Sequence, residues 1–222
     1  MAWAPTVDGV TLPESPFRDK APAISAKIPL MVGTTRTEFG IGWLWPDFED
    51  YSYSELRDAI IKGHGKETGE HVLDALRRGH PGAKACDLFA LWQSSGVRLA
   101  ALRQATAKAA QDAAPVYVYL FAWNTPVLDG RIRSYHCAEL PFVFDNTDRC
   151  DQATGGGETA RALAAKVSEA WIRFARTGNP NHSGLPEWPA FTAANGATML
   201  FDNTCATVNH PDRDELAVLA EC

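Results

Sequence analysis

Apolar positions along this chain recur with two different spacings, and the switches between them predict an order of elements. Ile28 to Val32 is a short apolar run closed by Gly33, which suits a strand buried on both faces of a parallel sheet. From Glu55 the spacing becomes helical, with Leu56, Ile60 and Ile61 on one face and Ser54 placed to cap the helix. A second helix is expected from Gly69 to Arg78, stopping before Gly79 and Pro81. Residues 83–113 keep helical spacing, and Ser94, Ser95 and Gly96 are expected to divide them into two helices. Pro115 to Phe121, aromatic and β-branched, is the clearest strand. From Thr159 to Thr177, Leu163, Val167, Ala170, Trp171 and Phe174 share one helical face, and Gly178 ends the helix. A strand over 198–201 and a helix over 212–221 close the chain.

Strand, helices, strand, helix, strand, helix is the order of an α/β fold with a parallel-type sheet. About three strands are recognisable, so the pattern reads as the end of a sheet with several covering helices. Residues 1–27, rich in Pro and charge, read as extended loop. No repeat or low-complexity linker divides residues 1–222, which are read as a single segment.

Composition narrows the function classes. The chain is 45% apolar and carries seven Trp and ten Phe, enough bulky material for a core. A net charge of −6 leaves no basic surface for phosphates, so nucleic acid is not an expected partner. The densest basic stretch is only Arg131 with Arg133. No apolar run approaches the roughly 18 residues of a membrane span. Met1 to Asp8 lacks the basic and apolar regions of a signal peptide. Cys86, Cys137, Cys150, Cys205 and Cys222 contain no C-x-x-C pair, which argues against a metal knuckle. A bridge among the last three would fit an exported protein, so the compartment stays open.

Three segments are candidates for chemistry. Gly33-Thr-Thr-Arg-Thr-Glu38-Phe-Gly40 follows the first strand, where open α/β sheets place their functional crevice. A carboxylate there can accept from a histidine and stabilise its imidazolium, although a solvated Glu is the default state. Ser134-Tyr-His136-Cys-Ala-Glu139-Leu-Pro-Phe-Val-Phe144-Asp145 sets a histidine beside an apolar run, Leu140 to Phe144, expected to be buried. His136 is then a candidate general base, against the alternative of a structural histidine. Glu139 is either a buried carboxylate supporting the histidine loop or a surface residue. Ala170 to Pro189 is structural, a helix ended by a Gly-Asn-Pro turn. His64, Glu67 and His71 could share a helix face, but Gly63, Gly65 and Gly69 weaken that helix and no fourth ligand is evident.

These segments resemble those of type-B carboxylesterases, the group that includes para-nitrobenzyl esterases and cholinesterases. Pro5-Thr-Val-Asp8-Gly9 through Leu12-Pro13, Ile28-Pro29-Leu30 with Gly33-Thr34-Thr35 and Glu38, the His136 block and the 170–189 block occur in the family's order. The resemblance implies the C-terminal portion of an α/β-hydrolase. It makes Glu38 the triad acid, His136 the triad base and Glu139 a supporting acid, with neither metal nor cofactor. The triad order in such enzymes is serine, acid, histidine. The G-x-S-x-G nucleophile elbow that should precede Glu38 is absent, and so is a Gly-rich oxyanion loop. Gly155-Gly156-Gly157 follows His136 and reads as a connector, and Ser94, Ser95 and Ser183 sit in no strand-turn-helix elbow.

The expectation is therefore a carboxylic-ester hydrolase segment supplying acid and histidine, with no nucleophile of its own and inactive alone. A separate N-terminal half would bring the serine, and a small-molecule ester would be the substrate. Trp43, Trp45 and Phe39 are candidates for lining its pocket. Two other readings remain: a non-catalytic interaction domain of the cholinesterase-like adhesion type, and a truncated product without a function of its own. An uncovered sheet edge would favour homo-oligomers.

Overall fold

The computed structural model describes residues 5–17, 20–39, 42 and 44–221. Four strands form one sheet in the order β1 (Leu30–Thr35), β2 (Val116–Phe121), β3 (Ala197–Phe201), β4 (Ala206–Asn209). β1 runs parallel to β2 with Leu30 opposite Val116, and β2 runs parallel to β3 with Val118 opposite Thr198. β4 returns antiparallel to β3, so the sheet is mixed. Among the described residues seven α-helices accompany it: α1 (Tyr53–His64), α2 (Lys66–Gly79), α3 (Ala85–Ala109), α4 (Leu140–Val143), α5 (Asp151–Thr154), α6 (Glu158–Thr177) and α7 (Arg213–Ala220).

β2 shows why the sheet must be covered twice. Its side chains alternate between faces, and nearly all of them are apolar or aromatic. Tyr117, Tyr119 and Phe121 meet Leu163, Val167, Ala170 and Trp171 of α6 in one core. Val116 and Val118 face the opposite way, onto Leu102 and Ala105 of α3. Full burial of each Val or Phe contributes roughly 1.5–3 kcal/mol, so the two helices are held by the sheet between them.

Several boundaries differ from the sequence expectation. β1 begins at Leu30 and continues through Gly33 to Thr35, rather than ending at Gly33. A Cβ at Gly33 would collide with the Tyr119 ring and carbonyl on β2, so glycine here permits close strand approach and does not mark a turn. The first helix is capped by Ser52, not Ser54: Ser52 and Glu55 form a reciprocal capping box. α3 is one unbroken helix, and the hydroxyls of Ser94 and Ser95 are accommodated inside it by donating back to the Ala90 and Trp92 carbonyls. α1 ends at Gly65, whose φ of +81° breaks the helix between His64 and Glu67. His64 is instead held by the Trp92 indole N–H, 3.0 Å from its Nε2.

The segment leading into β1 is tied down by Lys108, which is only 2% exposed. Its Nζ donates to the carbonyls of Ser25 and Ala26 at 2.6 and 2.9 Å and to Gln111 Oε1 at 2.8 Å. On the far side of the sheet the outer edge of β1 has no neighbouring strand among the described residues. Cys86, Cys137, Cys150 and Cys205 are free thiols, so no bridge joins Cys150 to Cys205; Cys222 lies outside the described residues. No helix among the described residues is long and apolar enough to cross a membrane.

Candidate active site

Parallel pairing of β1 with β2 brings their carboxyl ends side by side, and the candidate site is built on the turns that leave them. At the end of β2 the Phe121 carbonyl accepts from the Arg36 N–H at 2.9 Å and from the Ser134 hydroxyl at 2.7 Å. The turn after β1 and the loop carrying the histidine are thus fixed to one point. Thr37 adds a direct clasp: its N–H and its hydroxyl both donate to the Ser134 carbonyl, at 3.2 and 2.9 Å.

Glu38 sits in this turn with 8% of its surface exposed. Its Oε1 accepts the Thr35 N–H at 2.8 Å, which orients the carboxylate. Its Oε2 accepts from Nδ1 of His136 at 2.6 Å, so two residues 98 positions apart meet in a short charge-assisted contact. With Nδ1–H donating, Nε2 is left as the acceptor nitrogen of the neutral ring. The His136 side chain is 67% exposed, and among the described residues Nε2 makes no hydrogen bond. The Phe39 ring stacks on the imidazole at 6.2 Å between centroids with 19° between planes. Such an arrangement can take up a proton at Nε2 and stabilise the imidazolium through the carboxylate.

Glu139, three residues on, is half-buried at the start of α4, and its Oε2 has no hydrogen-bond partner among the described residues. Burial pushes its carboxyl above the ordinary carboxylate range, and the Glu38 charge adds to that. The Leu140 to Phe144 run is not wholly buried as expected. Only Phe142 is, packed against Phe121 and Trp123, while Leu140 and Phe144 are 44% and 71% exposed. One helical turn can aim only part of a five-residue apolar run at the sheet.

Arg133 is the support that sequence reasoning overlooked. Three residues before His136, it donates from Nε to Asp87 at 2.6 Å, from Nη2 to Glu49 at 2.8 Å and from Nη1 to the Arg131 carbonyl at 2.6 Å. Its partners lie 46 and 84 positions away, and no local spacing announces them. Ser94 is buried and accepts the Phe39 N–H at 3.3 Å, a scaffold role. Trp45 packs on Phe48 and Tyr51 while staying partly exposed, and Trp43 lies outside the described residues.

Comparison with known proteins decides what kind of molecule carries this pair. Residues 1–218 match the model of the Carboxylesterase family. The chain belongs to the carboxylesterase family. It is 32% identical to the para-nitrobenzyl esterase of Bacillus subtilis over 217 residues, covering 96% of this chain and 42% of that protein. It is 30% identical to a phenmedipham hydrolase of Pseudarthrobacter oxydans, covering 94% of this chain and 42% of the relative. Among solved structures, a Geobacillus stearothermophilus carboxylesterase superposes with a TM-score of 0.72 at 30% identity, over 98% of this chain and 46% of the other. The four strands and seven helices of this carboxylesterase segment are thus those of an α/β esterase fold. The chain spans about two-fifths of the length of the curated relatives it matches.

Proposed function

We propose that this chain supplies the acid and the base of a Ser-Glu-His carboxylic-ester hydrolase, and that the serine and the oxyanion hole come from outside these 222 residues. The observation that carries the reading is the 2.6 Å contact from His136 Nδ1 to a Glu38 carboxylate already oriented by a backbone N–H. His136 Nε2 takes the proton of the serine hydroxyl as the oxygen attacks the ester carbonyl. The tetrahedral intermediate collapses, and the alcohol leaves with that proton. Water, deprotonated by the same nitrogen, then releases the acid. Glu38 keeps the reactive tautomer and offsets the charge that appears on the ring. Glu139 backs the histidine loop without touching substrate.

No G-x-S-x-G pentad occurs in the 222 residues, so the chain alone is expected to leave p-nitrophenyl esters intact. The test mixes this chain with the N-terminal half of a related para-nitrobenzyl esterase and follows p-nitrophenolate release. Turnover by the mixture that disappears with His136→Ala supports the reading. Turnover by the chain alone that His136→Ala removes would reveal a nucleophile inside it and overturn the division of labour. A complex that forms and stays inactive would leave the adhesion-type role standing.

The outer edge of β1, which has no neighbouring strand among the described residues, carries a second part of the proposal. It is the place for a further strand of the esterase sheet or for β1 of another copy. Light scattering that finds only monomers at high concentration would remove the homo-oligomer.

A further inference from the structure

Away from the candidate active site, one other cluster among the described residues gathers metal-ligating side chains. His80 follows the last residue of α2, and Asp212 and Glu215 open α7, which packs on α2. The spacing of 212 and 215 puts both carboxylates on one face of the incoming helix. His80 Nε2 lies 2.6 Å from Glu215 Oε1 and 3.9 Å from Asp212 Oδ1. One ligand atom from each of the three residues falls within 4.8 Å of the other two. Glu215 is buried and its two neighbours are half-buried. Among the described residues neither carboxylate has a Lys or Arg within ion-pairing distance, so a single imidazole answers two acids at close range. A Cβ at position 79 would stand 2.7 Å from Glu215 Oε2, so Gly79 leaves the room that lets this carboxylate reach His80.

We propose that His80, Asp212 and Glu215 form a binding site for a divalent transition-metal ion of the Zn²⁺ type, which would pin the last helix to α2. One imidazole and two carboxylates are a ligand set that such ions accept, with the fourth position left to water. Bonds of about 2.0–2.2 Å require the ligand atoms to sit roughly 3–3.5 Å apart. The His80–Glu215 contact must open and the Asp212 contact close, each by less than about an ångström, which side-chain torsions supply. The ion takes the place of the proton between Nε2 and the Glu215 carboxylate, so metal and proton compete for the site.

Two guanidiniums border the cluster. Arg98, 5% exposed, has Nε and Nη2 without acceptors, and so has Nε of Arg36. Both arginines line, with Asp212 and Glu215, a cavity of about 20 Å³. When the near oxygens turn to an ion, the far oxygens become acceptors for these donors, an outer shell of the kind that orients metal-bound carboxylates. Their positive charge also weakens the site, which sets its affinity below that of a closed cysteine-ligated one.

The test is equilibrium dialysis of the whole chain against Zn²⁺ at pH 7.5, with Co²⁺ absorption as a report on geometry and thermal unfolding as a report on coupling. Wild type should retain one equivalent, show a tetrahedral Co²⁺ spectrum and melt higher with Zn²⁺. Asp212→Asn, the mildest change in the cluster, and Glu215→Gln should each weaken retention at least about tenfold and abolish the melting shift. His64→Gln should change neither. No retention at millimolar Zn²⁺, or retention that Asp212→Asn leaves unaltered, would overturn the site.

Discussion

Two histidine–glutamate pairs in this molecule have the same 2.6 Å separation and opposite surroundings. His136 engages Glu38 through Nδ1, and its ring is 67% exposed with Nε2 turned from the acid. His80 engages Glu215 through Nε2, and its ring is 21% exposed with a second carboxylate, Asp212, close by. The first carboxylate, on the turn after β1, is held by the N–H of the last residue of that strand, and the second stands on the helix that it helps to dock. Distance alone therefore does not mark a catalytic pair. What separates the two is which ring nitrogen remains available and whether anything outside the protein can reach it.

The largest effect that would sharpen this contrast comes from His136→Ala. In the complemented esterase it should lower kcat by about 10⁴-fold or more, because the serine loses its base, while folding cooperativity in urea stays unchanged. Glu38→Gln keeps the shape and removes the charge, with an expected kcat loss of about 10²–10⁴-fold. A pH–rate profile of that variant that matches wild type would break the assignment of Glu38. On the other pair the readout moves from rate to stability. His80→Gln should cost about 1–3 kcal/mol in urea unfolding by stranding the buried Glu215, with no effect on complemented activity. A matching loss of activity would erase the distinction between the pairs.

A smaller effect is the pH dependence of that stability. The hydrogen bond that His80 donates to the Glu215 carboxylate holds the imidazole pKa above its ordinary value of 6.5, against burial and with the help of the Glu215 and Asp212 charges; Arg36 opposes it. A raised folded value means that the contribution is complete below about pH 6.5 and is lost as pH rises through the higher, folded value. Urea midpoints should therefore drift down as pH rises past about 6.5 towards that folded value, and Glu215→Gln should flatten the drift. The smallest change is expected from Glu139→Gln. Its carboxyl, raised by burial, costs stability increasingly as pH climbs from the ordinary 4.5 to the higher folded value, so the uncharged amide should be neutral or stabilising at pH 7, by under about 1 kcal/mol.

Much of the frame was legible in the chain. β2 and α6 announce themselves, one as an unbroken run of aromatic and β-branched residues and the other by apolar side chains at 3.6-residue spacing. β4 was missed because Ala206 to Asn209 is a half-exposed edge with little apolar content to pattern. Gly33 misled because a glycine at a strand–strand contact looks, in sequence, like a glycine at a turn. Glu38 and His136 have no local signature as a pair, and only the resemblance of their flanking motifs joined them in advance. The Arg133 anchor and the His80 cluster were invisible, since each depends on partners brought together by tertiary packing across 46 to 135 positions.

The burial of Lys108 has a practical consequence. An amine locked onto two backbone carbonyls cannot react with acylating reagents while residues 25 and 26 are seated on it. Covalent labelling followed by mass spectrometry would therefore skip this lysine in the intact molecule and tag it once the stretch before β1 peels away. One peptide then serves as a clock for the detachment of that stretch, with no probe introduced into the protein.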